Sequence, residues 1–172
     1  DERGPFAPLV ANESLMEAAR LHSQDMLSRG VLTHSGSDGS SVGQRAVRAG
    51  YPTNFVSENV YFHSNGGNSP LQDVAPQAND AWFTSTTGHR QNMLNAEWTE
   101  IGTGFAAQQG SSGFLPQYGT EVFGRYNPGP FLTGVAFHDL NENRFYEAGE
   151  GVGGVKVTVT GGQGETFVTT TA

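Results

Sequence analysis

Trp82-Phe83-Thr84-Ser85-Thr86-Thr87-Gly88-His89-Arg90-Gln91-Asn92-Met93-Leu94 is the most informative stretch of the chain. Apolar residues at helical spacing approach it from residue 71 and stop at Phe83. Thr86-Thr87-Gly88 then break the helix, and a second, short helix is expected over 89–94. A histidine directly behind a glycine, among small residues, has room to project into a cleft. Two other segments share that character. Thr33-His34-Ser35-Gly36-Ser37-Asp38-Gly39 reads as loop, and Ser57-Glu58-Asn59-Val60 falls in chain that reads as extended over 51–61.

Around these segments helices and strands mix. Ser14-Leu15-Met16-Glu17 has the spacing of a capping box. Leu15, Ala18, Ala19, His22 and Met26 follow at helical intervals, and Gly30 supplies the stop. Residues 42–49 read as a short helix closed by Gly50. The runs 101–107 and 118–123 are β-type, joined by a Gly/Ser-rich connection, and predict an antiparallel pair. Residues 1–127 therefore read as one α+β domain. Asn127-Pro128-Gly129-Pro130 cannot continue a helix, and 128–130 read as a linker. Helix signals vanish beyond it. Strands are expected over 131–137, 152–160 and 165–170, with Val155, Val157 and Val159 alternating onto one face. Only 44 residues follow Pro128. That is near the lower limit for an independent fold, so 131–172 read as a truncated all-β module.

Composition removes several functions. The 172 residues carry a net charge of −8 with a single Lys, split −5 up to Pro128 and −3 after it. Such a chain has no basic patch with which to neutralise phosphates, which argues against nucleic acid as a partner. No apolar run approaches the ~20 residues that span a bilayer. Cysteine is absent, which excludes disulfides, thiolate metal sites and a cysteine nucleophile.

The order His34-Ser35…Asp38-Gly39, then Glu58-Asn59-Val60, then Trp82…Ser85…Gly88-His89-Arg90…Asn92-Met93-Leu94, then Glu100-Ile101-Gly102…Gly104-Phe105 resembles the bacterial branch of the CAP superfamily. That group takes in cysteine-rich secretory proteins, antigen 5 and plant pathogenesis-related proteins. The resemblance covers about residues 8–124. It implies an α-β-α sandwich with an antiparallel sheet and a shallow cleft lined by a polar tetrad. His34, Glu58 and His89 match three tetrad positions. Ser85 stands where the eukaryotic branch has a glutamate, a departure common in bacterial members. Two imidazoles and a carboxylate are ligand types that zinc or a similar divalent ion accepts, with a position left for water. The same residues could instead form a metal-free hydrogen-bond network or, with Ser85, a hydrolase site. Against the last, no Gly-x-Ser-x-Gly elbow surrounds Ser85.

His22 reads as a core residue and His63 as solvated. Trp82, Phe83, Met93 and Trp98 are expected under the cleft. Arg45 and Arg90 could pair with Asp38 or Glu58, with ordinary surface ion pairs as the plainer expectation.

In the second module Asp139, Asn141 and Asn143 occupy positions 1, 3 and 5 of a loop with Glu150 at position 12. A backbone carbonyl at position 7 (Phe145) and Glu147 at position 9 complete the oxygen spacing of a calcium loop. Arg144 stands where such a loop usually has glycine. The stretch 131–161 resembles the calcium-binding B-type repeats of bacterial surface adhesins, small β-sandwiches. Together these readings predict a secreted or surface-displayed bacterial protein, monomeric and without a transmembrane segment. It would be a non-catalytic binding domain for a small ligand, peptide or extracellular partner, joined to a calcium-stabilised module. A metal-dependent or serine-type hydrolase is the alternative.

Overall fold

The computed structural model describes residues 9–65, 74–108, 115–126, 134–147 and 149–171. They belong to two compact units, Asp1–Phe131 and Leu132–Ala172. The linker expected at 128–130 lies outside the described residues.

In the first unit the elements run β1 (Val10–Ala11), α1 (Glu13–Arg29), α2 (Val42–Arg48), β2 (Val56–Asn65), α3 (Val74–Thr84), α4 (His89–Met93), β3 (Glu100–Ala107) and β4 (Leu115–Gly124). The sheet order is β1-β3-β4-β2. The pairs β3–β4 and β2–β4 are antiparallel as expected. The two-residue β1 adds in parallel to β3 at Val10↔Glu100, so the sheet is mixed rather than purely antiparallel.

Helix α1 lies on one face of this sheet. Its buried side is Leu15, Ala18, Ala19, His22, Ser23 and Met26. Leu15 and Ala19 pack with Ala46, Tyr51 and Val122, while Met26 packs with Val60 and Tyr118. The approach to β3 is close enough that only glycine fits. A Cβ on Gly102 would stand 2.2 Å from the Leu15 carbonyl carbon, and one on Gly104 would stand 2.2 Å from the Arg20 nitrogen. Ser23 Oγ donates to the Gly104 carbonyl at 2.8 Å and shares a second hydrogen bond with Thr120 Oγ1.

The N-terminus of α1 is capped by Asn12, whose side chain accepts from the amides of Ser14 and Leu15. The capping box expected at Ser14–Glu17 does not form, because the cap is Asn12 and the helix starts two residues earlier. The Asn12 amide also donates to buried Glu100 at 2.7 Å, and Tyr51 OH donates to the same carboxylate at 2.6 Å. Burial, and then this carboxylate, push the Tyr51 phenol well above its usual range. One side chain therefore both caps the helix and ties it to β3.

The other face of β2 carries α3 and α4. β2 is an edge strand, and its outward carbonyls need partners. Trp82 Nε1 donates to the Val60 carbonyl at 3.0 Å, and its ring meets Tyr61 edge-on. Of the residues expected under the cleft, Trp82 is fully buried. Phe83 is 43% exposed, beneath the Arg90 guanidinium. His63 lies in β2 rather than a loop and stacks on Tyr61.

In the second unit β5 (Lys156–Thr160) and β6 (Thr166–Thr170) form a hairpin, and Phe137 bridges to Gly151. A sandwich is not present among the described residues, whose pairings stop at that hairpin and bridge. The first part of the strand expected at 131–137 lies outside them.

Because α1 rests on the bare backbone of β3, Gly104→Ala and Gly102→Ala should each destabilise the first unit by about 1–3 kcal/mol, the cost of overpacking. Strand propensity alone points the other way, since alanine orders an extended chain better than glycine. Urea midpoints at or above wild type would show that the helix can shift to make room.

Candidate functional site

The site is built on three consecutive residues of β2. Alternation along the strand sends Glu58 toward the α1 and α2 side and Asn59 toward α4.

Glu58 is almost wholly buried, and both of its oxygens are engaged. Oε2 accepts from Arg45 Nη2 at 2.6 Å, and Oε1 accepts from His34 Nδ1 at 2.9 Å. His22 Nε2 stands 3.8 Å from Oε1 and donates to the Thr33 carbonyl at 2.8 Å. Arg45 projects from α2, whose Ser41–Gln44 capping box holds its first turn. The same guanidinium donates to the carbonyls of His34 and Ser40, so it also clamps the loop that presents His34. Arg45 is therefore no surface ion pair. It is 8% exposed and neutralises a buried carboxylate.

Asn59 performs the corresponding task on the other face. Its Nδ2 donates to the His89 carbonyl at 3.2 Å and to Glu121 Oε2 at 3.1 Å. Its Oδ1 accepts from Asn92 Nδ2 at 2.9 Å, and Ser57 Oγ donates to Asn92 Oδ1. These bonds hold α4, and hence His89 at its first position, against β2. Burial lifts Glu121 to about 7, opposed by its hydrogen bond from Asn59. Gly88 precedes His89 at φ 107°, a backbone conformation that favours glycine.

The two cleft imidazoles are driven apart in basicity. The hydrogen bond to Glu58 is the main cause that raises His34, against partial burial. Burial lowers His89 first, and the charge of His34 lowers it further, which places both rings in one electrostatic environment. His34 is 60% exposed at its side chain, and with Nδ1 committed to Glu58 its contact atom is Nε2.

The tetrad expected from sequence thus comes together in part. His34 and Glu58 are bonded, and His89 is linked to them through the charge of His34, which lowers its affinity for a proton. Glu58 is not a hub between His34 and His89, since its second partner is Arg45. Ser85 Oγ pairs with Thr87 in a local turn, and no hydrogen bond joins it to His89. Among the described residues no three His, Asp or Glu side chains are grouped to hold a metal ion. With Glu58 engaged by Arg45, the cleft's donor set is the two imidazoles, fewer than the three protein ligands usual for catalytic zinc. Sequence reasoning offered Glu58 as a partner for Arg45 but favoured a surface pair; it missed Asn59, Asn92 and Glu121, and treated His22 only as core. Their one signal was polarity next to a motif.

In the second unit the loop is drawn together by its own oxygens. Asp139 accepts from the amides of Asn143 and Arg144, and Glu150 from those of Leu140 and Glu147. Glu147 accepts from the side-chain amides of Asn141 and Asn143, and Asn143 Oδ1 accepts from the Phe145 amide. Arg144, the expected misfit, adopts the left-handed conformation at φ 66° that glycine usually supplies.

The first unit is a mixed sheet with helices packed on it, and solved proteins share this fold. The fold matches an SCP-domain extracellular protein of Bacillus anthracis with TM-score 0.51 and 24% identity, over 70% of this chain and 35% of that one. It also matches an outer surface protein of Borrelia burgdorferi with TM-score 0.52 and 18% identity, over 70% of this chain and 79% of that one. Residues 4–123 match the model of the cysteine-rich secretory protein (CAP) family, and the chain belongs to that family. It is 32% identical over 98 residues to the uncharacterised protein YkwD of Bacillus subtilis, covering 57% of this chain and only 35% of that protein.

Two measurements test this electrostatic account. Histidine NMR titration should place His34 above 6.5 and His89 below it. Lowered groups favour the fold above pH 6.5 and lose that contribution as pH falls through their folded values, whereas His34 does the reverse. Buried Glu121, raised to about 7, takes up a proton in the fold over the same range and opposes the loss from His22. With that group removed by Glu121→Gln, buried His22 should outweigh the exposed, screened His34, and the urea midpoint should fall on acidification from pH 7 to about 5. Glu58→Gln strands Arg45 and should cost ~3–5 kcal/mol. A loss under 1 kcal/mol would mean that water reaches the pair.

Proposed function

We propose that the first unit is a non-catalytic binding domain of a secreted or cell-surface bacterial protein. Its cleft holds a small polar ligand, a peptide group or a weakly bound divalent ion at His34 and His89. The observation that supports this most directly is the Arg45–Glu58–His34 chain. It spends the cleft's carboxylate on orienting an imidazole and leaves none to attack a substrate or act as a base. Carboxylate support fixes the His34 tautomer with Nε2 outward, an arrangement that also serves imidazoles bound to metals. A protonated His34 can donate to a ligand oxygen while neutral His89 offers a lone pair. The extracellular setting rests on the matched Bacillus anthracis and Borrelia burgdorferi proteins, which are extracellular and outer-surface proteins. No helix among the described residues is long and apolar enough to cross a membrane.

The unequal basicity of His34 and His89 also favours a second reading, acid–base hydrolysis. Calorimetric titration with Zn2+ and short peptides, beside peptidase and esterase assays, separates the two. Binding should be weaker at pH 5, where ligand imidazoles must shed protons. It should be lost in the His34→Ala, His89→Ala double variant, with no turnover in either protein. Turnover abolished by His89→Ala without loss of folding would establish the hydrolase instead.

For the second unit we propose a calcium-stabilised module, with Asp139, Asn141, Asn143, Phe145, Glu147 and Glu150 as the oxygen ligands. Short side chains at alternate positions and a left-handed residue at the sixth suit a hard cation with six to eight oxygens. Calcium at a hundredfold excess over Kd should stabilise this unit by about 2.7 kcal/mol. Chelator should then speed amide exchange over 134–171 while leaving 9–126 unchanged. Asp139→Ala should abolish the difference, and equal protection with and without chelator would refute the site.

A further inference from the structure

The four-stranded sheet of the first unit has two edges, and they are finished differently. Along β2 the carbonyls of Glu58 and Val60 are met by Asn92 Nδ2 and Trp82 Nε1. Along the outer side of β3 the only strand is β1, whose pairing ends at Ala11↔Ile101. The Asn12 amide donates to the Ile101 carbonyl on that side, while the Gln108 amide donates to Pro116 on the β4 side. Backbone groups alternate in direction along a strand. Those of Thr103, Phe105 and Ala107 therefore point outward, as Ile101 does. No strand or side chain among the described residues meets them.

Nor is this edge guarded. Exposed edges are usually blunted by lysine, proline or a bulge. Gly102 to Ala107 carry no charge and no proline, and their ladder with β4 runs without a bulge. The Phe105 ring lies back over Gly119, where an added Cβ would stand 2.6 Å from it, and leaves its own backbone uncovered. Beside the edge runs a groove of about 410 Å³, lined by Glu13, Met16, Glu17 and Arg20 of α1 and by Thr103 and Phe105. Met16 is 36% exposed and gives the helix wall an apolar point. Glu17 is paired with Arg20, whereas the Glu13 carboxylate is unpaired among the described residues, so the wall is net negative.

We infer that the free edge of β3 docks an extended, cationic peptide segment, which adds as a further strand beyond the end of β1. Its main chain pairs with Thr103, Phe105 and Ala107, and its alternate side chains enter the groove. One of these is apolar and lies on Met16, and a neighbouring one is a Lys or Arg that reaches Glu13. Main-chain pairing supplies the affinity, and the groove supplies the selection. The site is at the opposite edge of the sheet from β2 and its His34–Glu58 pair, and it does not depend on them.

Acetyl-Val-Thr-Lys-Thr-Val-amide is the probe. Titrated into the 15N-labelled full chain, it should give saturable shifts along 101–107 and in the first two turns of α1, with none at His34 or His89. A strand turns only alternate residues toward its partner. N-methylation of the peptide should therefore abolish binding either at its two threonines or at its lysine and last valine, but not at both. Glu13→Gln should weaken binding about threefold, the share of an exposed ion pair. Thr103→Pro removes an N–H that bonds nothing in the sheet, so the spectrum should stay folded while the shifts vanish. The N-methylated peptides hold the test if that variant does not fold. Loss with both of them or with neither, no saturable shift, unchanged affinity in Glu13→Gln, or shifts at His34 and His89 instead would each overturn the inference. So would β3 shifts that follow protein concentration without peptide, since a second copy would then hold the edge.

Discussion

A carboxylate has been placed inside the first unit, and its charge has to be met. Glu58 sits on β2 with its side chain almost wholly out of water, where an unmatched anion would cost several kcal/mol. Arg45 supplies the matching charge from α2, and His34 supplies a second donor from the loop ahead of it. The guanidinium has donors left over, which it spends on the carbonyls of His34 and Ser40. Satisfying one buried group thus fixes the place of α2, the conformation of the 34–40 loop and the tautomer of the exposed imidazole. The cleft is a consequence of that requirement, not an addition to a finished fold.

The sheet provides the rigidity that makes such placement possible. β4 is buried along its whole length between β3 and β2, and α1 lies directly against β3 at two glycines. Glu100, under the other end of α1, repeats the logic of Glu58: a buried carboxylate satisfied by Tyr51, Asn12 and the Tyr126 amide. On the opposite side Asn59 and Asn92 answer the open edge of β2 with side-chain amides, and Asn92 Nδ2 reaches the Glu58 carbonyl. Neighbouring residues 58 and 59 therefore position His34 and His89 respectively, one from each face of a single strand. That is why the two rings feel each other's charge although 55 positions separate them in sequence.

The second unit works with less. Its strands are short, Val155, Phe167 and Val168 are exposed, and the best-organised part is a loop held by carboxylate and amide side chains. Among the described residues Glu150 is its one buried carboxylate, and it accepts from the amides of Leu140 and Glu147. Polar groups rather than an apolar core define its shape.

Much of this was legible in the residues alone. Helical spacing from Leu15 to Met26, the β runs near Ile101 and Tyr118, and the punctuation by Gly30, Gly50 and Gly88 are local signals, and local signals set local structure. The motif order around His34, Glu58 and His89 marked the family and the cleft, because those residue types need small neighbours to be presented at all. What tertiary structure decided was pairing. Nothing in the sequence distinguishes Arg45 from Arg48, yet one is buried on Glu58 and the other lies in an exposed pair with Asp38. Asn12 rather than Ser14 caps the helix, and its amide also reaches Glu100, 88 residues away. Ser85 was a candidate hydrolase partner for the cleft by residue type alone, and the turn after Thr84 gives its hydroxyl to Thr87. Residue type and period determine which elements form and which side chains are available. Burial of a charge is a property of the assembled molecule, and it alone selects which of several equivalent residues must answer it.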